Sequence, residues 1–219
     1  MIPKRIFTTW ISEKPAPDIF YHCFESWHRL MPDYEIKILN LETVVKDDYM
    51  KARLADKNYL MAGHWARLTE LLTNGGIYVD IDIEAVKRWD DLLENDFFLG
   101  HEGKDNHANN AIMGSVAGSP FVKEMLEYTR TFPLSHPEHP NETGPRMVTK
   151  LLKAMGWDGI DKDKMLGFVK IYNSKRFYPY FWDEKFTPEC VTPETYAIHR
   201  WCGSWLPEEV LKKIKKGIK

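Results

Sequence analysis

The sequence predicts an α/β domain built on a mostly parallel central sheet flanked by helices. Short β-branched and aromatic runs alternate along the chain with longer stretches whose apolar residues recur at helical spacing, the signature of successive β–α units. At 219 residues the chain can bury one substantial core, so residues 1–219 are expected to form one domain. A Gly75-Gly76 pair between a helical pattern and a strand pattern fixes one α-to-β junction.

Residues 4–10 read as the first strand. After the turn through Pro15-Ala16-Pro17, the residues Phe20, Cys23, Phe24, Trp27, Leu30 and Met31 share one helical face, which packs on the sheet. Residues 35–39 give a second strand, and the mixed, charged segment 41–58 gives only short helices. A helix over 60–72 ends at the glycine pair, and the run Ile77-Tyr78-Val79-Asp80-Ile81-Asp82-Ile83 reads as one strand from its alternation. Residues 97–100 and 111–115 follow as strands and 120–128 as a helix. The Pro- and His-rich segment 133–145 reads as a loop of the kind that forms a mobile lid. Residues 146–155 are expected as helix, 168–172 and 196–201 as strands, and 206–219 as a basic amphipathic tail helix.

Lys and Arg number 30 against 32 Asp and Glu, a formal charge of −2, so there is no basic field to collect nucleic acid and no acidic excess to favour disorder. Cys23, Cys190 and Cys202 lack the paired spacing of a disulfide framework or a zinc site, and suit a reducing compartment. No apolar run reaches the roughly 20 residues of a membrane span, and Met1-Ile2-Pro3-Lys4-Arg5 leads into a strand rather than a signal peptide. A cytoplasmic location is therefore expected. The tail lysines at 212, 213, 215, 216 and 219 read first as part of a solvated helix whose dipole they complement, with weak peripheral contact with anionic lipid as the alternative. Eight tryptophans and ten tyrosines can fill a core or stack on sugar and base rings.

On one strand, Asp80 and Asp82 would point the same way, with Tyr78 beneath them and Ile77, Val79, Ile81 and Ile83 facing the opposite layer. Two aligned carboxylates repel unless a cation or a proton is shared, and hard oxygen ligands suit Mg²⁺ or Mn²⁺ with room left for phosphates. An isolated Asp-x-Asp reads first as two solvated acids at a strand end. In open α/β sheets, however, ligands bind beyond the carboxyl ends of the strands, which is where this pair falls.

The surrounding motifs decide between these readings. The chain carries Ile2-Pro3-Lys4 with Trp10, Glu25-Ser26-Trp27, Pro32-Asp33-Tyr34-Glu35, Arg67 ahead of Gly75-Gly76-Ile77-Tyr78-Val79-Asp80-Ile81-Asp82, then Thr143-Gly144-Pro145, Phe177-Tyr178-Pro179, and His199 before Gly203-Ser204-Trp205. In order and spacing these resemble the DXD-motif sugar transferases typified by yeast initiating mannosyltransferases and bacterial capsular-polysaccharide transferases, and more distantly by glucosylating clostridial toxins.

The resemblance implies a GT-A fold with a small acceptor-side region. It implies a retaining transfer from a nucleotide-diphosphate sugar, UDP- or GDP-linked, to a glycan or lipid-linked saccharide in surface polysaccharide synthesis. Mn²⁺ or Mg²⁺ would be held by Asp82, Asp80 and His199. Trp10 would stack on the base, Arg67 and Asp80 would contact donor sugar and phosphate, and Ser204 and Trp205 would bond the diphosphate. Asn109 and Asn110 would stand near the reacting centre with Arg67 and the acid pair. One departure concerns the donor: where the family usually has Ser-Asp before the arginine, Gly63-His64 stands here, so His64 is the candidate for sugar choice. Two further classes use such features, namely a metal-dependent nucleotidyl or phosphoryl transferase and a non-catalytic nucleotide-sugar-binding module.

Overall fold

The alternating residues of Arg5–Thr9 (β1) and Glu35–Leu39 (β2) form parallel partners, with Arg5 opposite Glu35 and Thr9 opposite Leu39. Between them Asp18–Leu30 (α1) lays Phe20, Cys23 and Trp27 against the sheet. The computed structural model describes residues 1–104, 106–131 and 142–203. Along these the remaining elements are α2 (Asp48–Ala55), α3 (Tyr59–Asn74), β3 (Gly76–Val79), β4 (Ile83–Ala85), β5 (Phe97–His101), β6 (Ala108–Ser115), α4 (Pro120–Arg130), α5 (Pro145–Ala154), β7 (Lys164–Leu166), β8 (Val169–Tyr172) and β9 (Ala197–His199).

Seven strands make the main sheet in the order β2-β1-β3-β6-β5-β8-β7. The pairs β1/β2, β1/β3 and β5/β8 are parallel, while β6 runs against β3 and β5 and β7 runs against β8. Five of the seven strands thus share one direction, which makes the sheet mostly parallel. Successive residues enter opposite cores, as the pleat requires. Phe7, Tyr78 and Phe97 pack with Leu68 of α3, Phe121 of α4 and Val148 of α5, whereas Ile6, Ile77 and Phe98 pack with Cys23 and Trp27 of α1. Both faces are covered by helix.

The Gly75-Gly76 junction is needed sterically. Gly75 has φ 67°, and a Cβ there would stand 2.8 Å from the Ala117 nitrogen; on Gly76, φ 117°, it would stand 3.0 Å from the Arg5 carbonyl oxygen. The chain therefore leaves α3 and pairs with β1 in one step. Asp47 supplies a cap that the mixed segment hides in sequence, its carboxylate accepting the Met50 amide at 2.8 Å to start α2.

Residues 77–83 are not one strand. Register pairing with β1 ends at Tyr78 and with β6 at Val79, the Ile83 amide donates to the Asp80 carbonyl at 3.1 Å across a turn, and β4 joins a separate antiparallel ribbon with β9. Apolar alternation continues through the turn, because Ile81 and Ile83 stay buried in the same core as Ile77 and Val79. The last expected strand likewise belongs to this ribbon and spans only Ala197–His199. The segment expected as a loop ends earlier than its sequence suggests, since Pro145 already opens α5; residues 133–141 of it, and the tail helix expected at 206–219, lie outside the described residues. Among the described residues, no helix is long and apolar enough to cross a membrane.

Candidate active site at the carboxyl end of the sheet

Because β1 and β3 are parallel, Trp10 and Asp80 emerge at the same edge. The first turns of α3 flank that edge, and β6 begins there because it runs the other way. Together they line a cleft of about 730 Å³ that collects Trp10, His64, Arg67, Asp80, Asp82, Asn109, Asn110 and His199. Every candidate site residue within the described residues therefore faces one space. Ser204 and Trp205 lie outside the described residues.

Asp80 and Asp82 are brought together by the turn after β3 rather than by a shared strand face. Asp80, with a third of its side chain exposed, accepts the Tyr78 hydroxyl at 2.5 Å and stands 3.6 Å from Arg67 Nη1. Burial raises its pKa in spite of Arg67. Asp82 is buried and accepts the Cys202 amide at 2.8 Å, with His199 Nε2 at 3.3 Å from its other oxygen. Burial opposes its charge, yet His199 and that amide prevail and hold its pKa at about 2. For His199 burial works downward, and Asp82 outweighs it to leave the imidazole pKa raised. The ribbon sets this pair, since Ile83 is the register partner of His199.

One atom from each of Asp80, Asp82 and His199 lies within 4.8 Å of the others. His199 Nδ1 is buried without a hydrogen-bond partner. Two carboxylate oxygens and an imidazole nitrogen fit a divalent cation, and the nitrogen suits Mn²⁺ better than Mg²⁺. The site fits the metal that the motif implies.

Arg67 is buried, with its guanidinium 5.2 Å above the Tyr78 ring and Nη2 donating to the Thr143 carbonyl at 3.4 Å. Asn110 donates to that same carbonyl at 3.4 Å, and the Thr143 hydroxyl meets His64 Nδ1. Thr143 thus ties three cleft residues to the start of α5. Burial, and then Arg67, push the His64 pKa well below its usual value, so this ring is neutral. Asn109 has less freedom: its oxygen accepts the Ala111 amide at 2.8 Å and its nitrogen reaches Glu102 at 3.3 Å. Trp10 is half-buried, its indole nitrogen donating to the Lys14 carbonyl at 2.8 Å.

Among the cleft residues without a signal in the motifs are Glu102, Trp182 and Trp201. Glu102 follows β5 directly, so the strand-end rule could have found it. Trp201 could not be found that way. It adopts φ 49°, rare for a bulky residue, and packs its ring 4.0 Å from that of His199.

Known proteins share both the fold and the motif. Residues 17–99 match the family model described as a glycosyltransferase sugar-binding region containing a DXD motif. Over 106 residues the chain is 30% identical to an initiation-specific alpha-1,6-mannosyltransferase of Candida albicans, which takes in 42% of this chain and 27% of that protein. The chain thus spans about a quarter of the length of that relative. Among solved structures, the PaToxG glycosyltransferase superposes with a TM-score of 0.59 at 18% identity, over 70% of this chain and 69% of that one. A glycosyltransferase involved in glycosylation of the major capsid of PBCV-1 superposes at 0.51 and 11% identity, over 97% and 98%. The architecture is that of the GT-A glycosyltransferases. Within the stretch that the family model matches, Asp80-Ile81-Asp82 has the form of the DXD motif.

Proposed function

We propose that the protein is a retaining, divalent-metal-dependent glycosyltransferase. It moves a sugar from a UDP- or GDP-linked donor to a glycan or lipid-linked saccharide, in assembly of a surface polysaccharide or glycoconjugate. The observation that carries this reading is the convergence of Asp80, Asp82 and His199 in a cleft that also holds Trp10 and Arg67. The mannosyl transfer named for the Candida relative agrees with a saccharide acceptor.

Mn²⁺ or Mg²⁺ on these three residues would join the donor diphosphate to the acids and offset the charge of the departing nucleotide. The chain's own groups do the rest. Arg67, held by Tyr78 and Asp80, presents a fixed positive charge to phosphate. Trp10 offers its ring to the base and His64 a neutral hydrogen-bonding edge to the sugar. Asn109 and Asn110 are amides without basicity, so they orient the reacting groups and take no proton, in keeping with departure and attack on one face of the sugar.

The test is to incubate the purified protein with UDP- and GDP-sugars, with Mn²⁺ or with chelator, and to read nucleotide release. Metal-dependent release from a nucleotide sugar is expected. Hydrolysis of nucleoside triphosphates with nucleotide sugars left intact would assign the site to phosphoryl transfer instead.

A further inference from the structure

The strand order arranges the cleft as a row. β1, β3, β6 and β5 are successive neighbours, so Trp10, Asp80, the Asn109-Asn110 pair and Glu102 follow one another along the sheet edge. Trp10 and Glu102 stand on opposite sides of the acid pair. If the nucleotide lies toward Trp10, the second substrate enters from the β5 side.

An indole belongs to that side. Trp182 lines the cleft and is 45% exposed. Its exposure does not come from a loose loop. Lys104, two residues beyond Glu102, binds Asp183 at 2.7 Å and Glu184 at 3.0 Å, and lies 4.6 Å above the Phe181 ring. Glu184 accepts the Phe181 amide at 2.8 Å, and Trp201 Nε1 donates to the Tyr180 carbonyl at 3.0 Å. Both neighbours of Trp182 are thus fastened to the β5 end, and among the described residues the ring contact of the indole between them is with Phe181, at 5.8 Å and tilted. A large apolar face kept exposed on a fixed mount is a ligand platform rather than part of a core.

We propose that Trp182 and Glu102 form the acceptor subsite, and that the acceptor is an uncharged saccharide. This rests on the transferase reading above and gives it a substrate class. A pyranose ring has an apolar C–H face, which suits the indole, and a rim of hydroxyl donors, which suits a carboxylate that can only accept. Glu102 is held in place for this by the Asn109 amide. The same carboxylate repels a phosphorylated or acidic acceptor end.

The experiment is saturation-transfer difference NMR on the full chain with the methyl glycosides of mannose, glucose and galactose, read on the wild type, Trp182→Ala, Trp182→Tyr and Glu102→Gln. At least one glycoside should bind the wild type, lose about tenfold in affinity in Trp182→Ala, equivalent to about 1.4 kcal/mol, and recover in Trp182→Tyr. Glu102→Gln should weaken the same glycoside. UDP and GDP affinity, measured with Mn²⁺, should be unchanged in Trp182→Ala. No glycoside contact with the wild type, equal contact in Trp182→Ala, or loss of nucleotide in that variant would each overturn the proposal. Glycoside binding in a protein that releases nothing from nucleotide sugars would leave the subsite standing and remove the transferase reading; the reverse result would remove only the subsite.

Discussion

Oδ1 of Asp82 and Nε2 of His199 meet at 3.3 Å, so two residues of the metal-capable trio hold each other before any cation arrives. A cation that takes both must displace the proton that the pair retains. His199 titrates above its ordinary 6.5, Asp82 having overcome the effect of burial. Mn²⁺ affinity is therefore expected to rise with pH through the His199 titration and level off above it, as calorimetry across that range will read. In chelator the sign differs. The His199 contribution to stability is complete below 6.5 and is lost as pH rises through its raised pKa. The Asp82 contribution is present above 3.8 and is lost as pH falls through about 2. Affinity that stays flat across the His199 titration would contradict the assignment.

Asp82→Asn should fold, because Asn keeps an acceptor for the Cys202 amide, but it should lose the metal and with it the diphosphate clamp. Nucleoside diphosphate affinity in this variant is expected to be the same with Mn²⁺ and with chelator. A metal-dependent difference as large as in the wild type would place the cation elsewhere.

Trp10→Ala should weaken UDP or GDP by about 1–3 kcal/mol, the cost of a lost base–aromatic stack by analogy with single-stranded nucleic acids, and leave Mn²⁺ affinity unaltered. Among the described residues the indole nitrogen bonds the local Lys14 carbonyl at 2.8 Å, and the ring is only partly buried at the edge of the core, so the fold should tolerate the change. Unchanged nucleotide affinity in a normally stable variant would return Trp10 to a packing role.

His64→Asp replaces a neutral ring beside Arg67 with an acceptor-only group, and so alters the hydroxyl pattern that can be satisfied. Turnover should be redistributed among donors that share one nucleotide. A uniform fall across donors would mean that His64 serves only to hold Thr143.

Gly75→Ala should cost about 1–3 kcal/mol for the forced positive φ alone, with a further penalty from the 2.8 Å approach to Ala117. A lower urea midpoint with an unaltered slope is the expected reading. A midpoint equal to the wild type would show that the turn relaxes without cost.

The fold was legible where one local pattern meets one local cause. The strand over 35–39 and the helix before Gly75 both come from periodicity closed by a turn, and both are found as expected. The run 77–83 misled because side-chain burial and backbone pairing end at different residues: Ile81 and Ile83 go on filling the core after the partners of β3 have run out. The site was legible through its ordered motifs, which reached Asp80, Asp82, His199, Arg67 and Trp10 together. Trp182 was not, because what carries it to the cleft is the bond between Lys104 and Asp183, 79 residues apart. No local pattern encodes such a contact.

The β4–β9 ribbon also dictates an order of assembly. Asp82 takes the amide of Cys202 from 120 residues further along, and His199 comes from the same distant strand. The first acid pair can be in place as soon as β3 pairs with β1, whereas the imidazole arrives only when β9 has closed that long loop. Coordination by all three groups therefore requires β9 to be docked. A cation bound there would act as a clasp on the ribbon, adding about 2.7 kcal/mol when present at a hundred times its dissociation constant. Starved of metal, the chain would keep its main sheet and hold this closure least tightly.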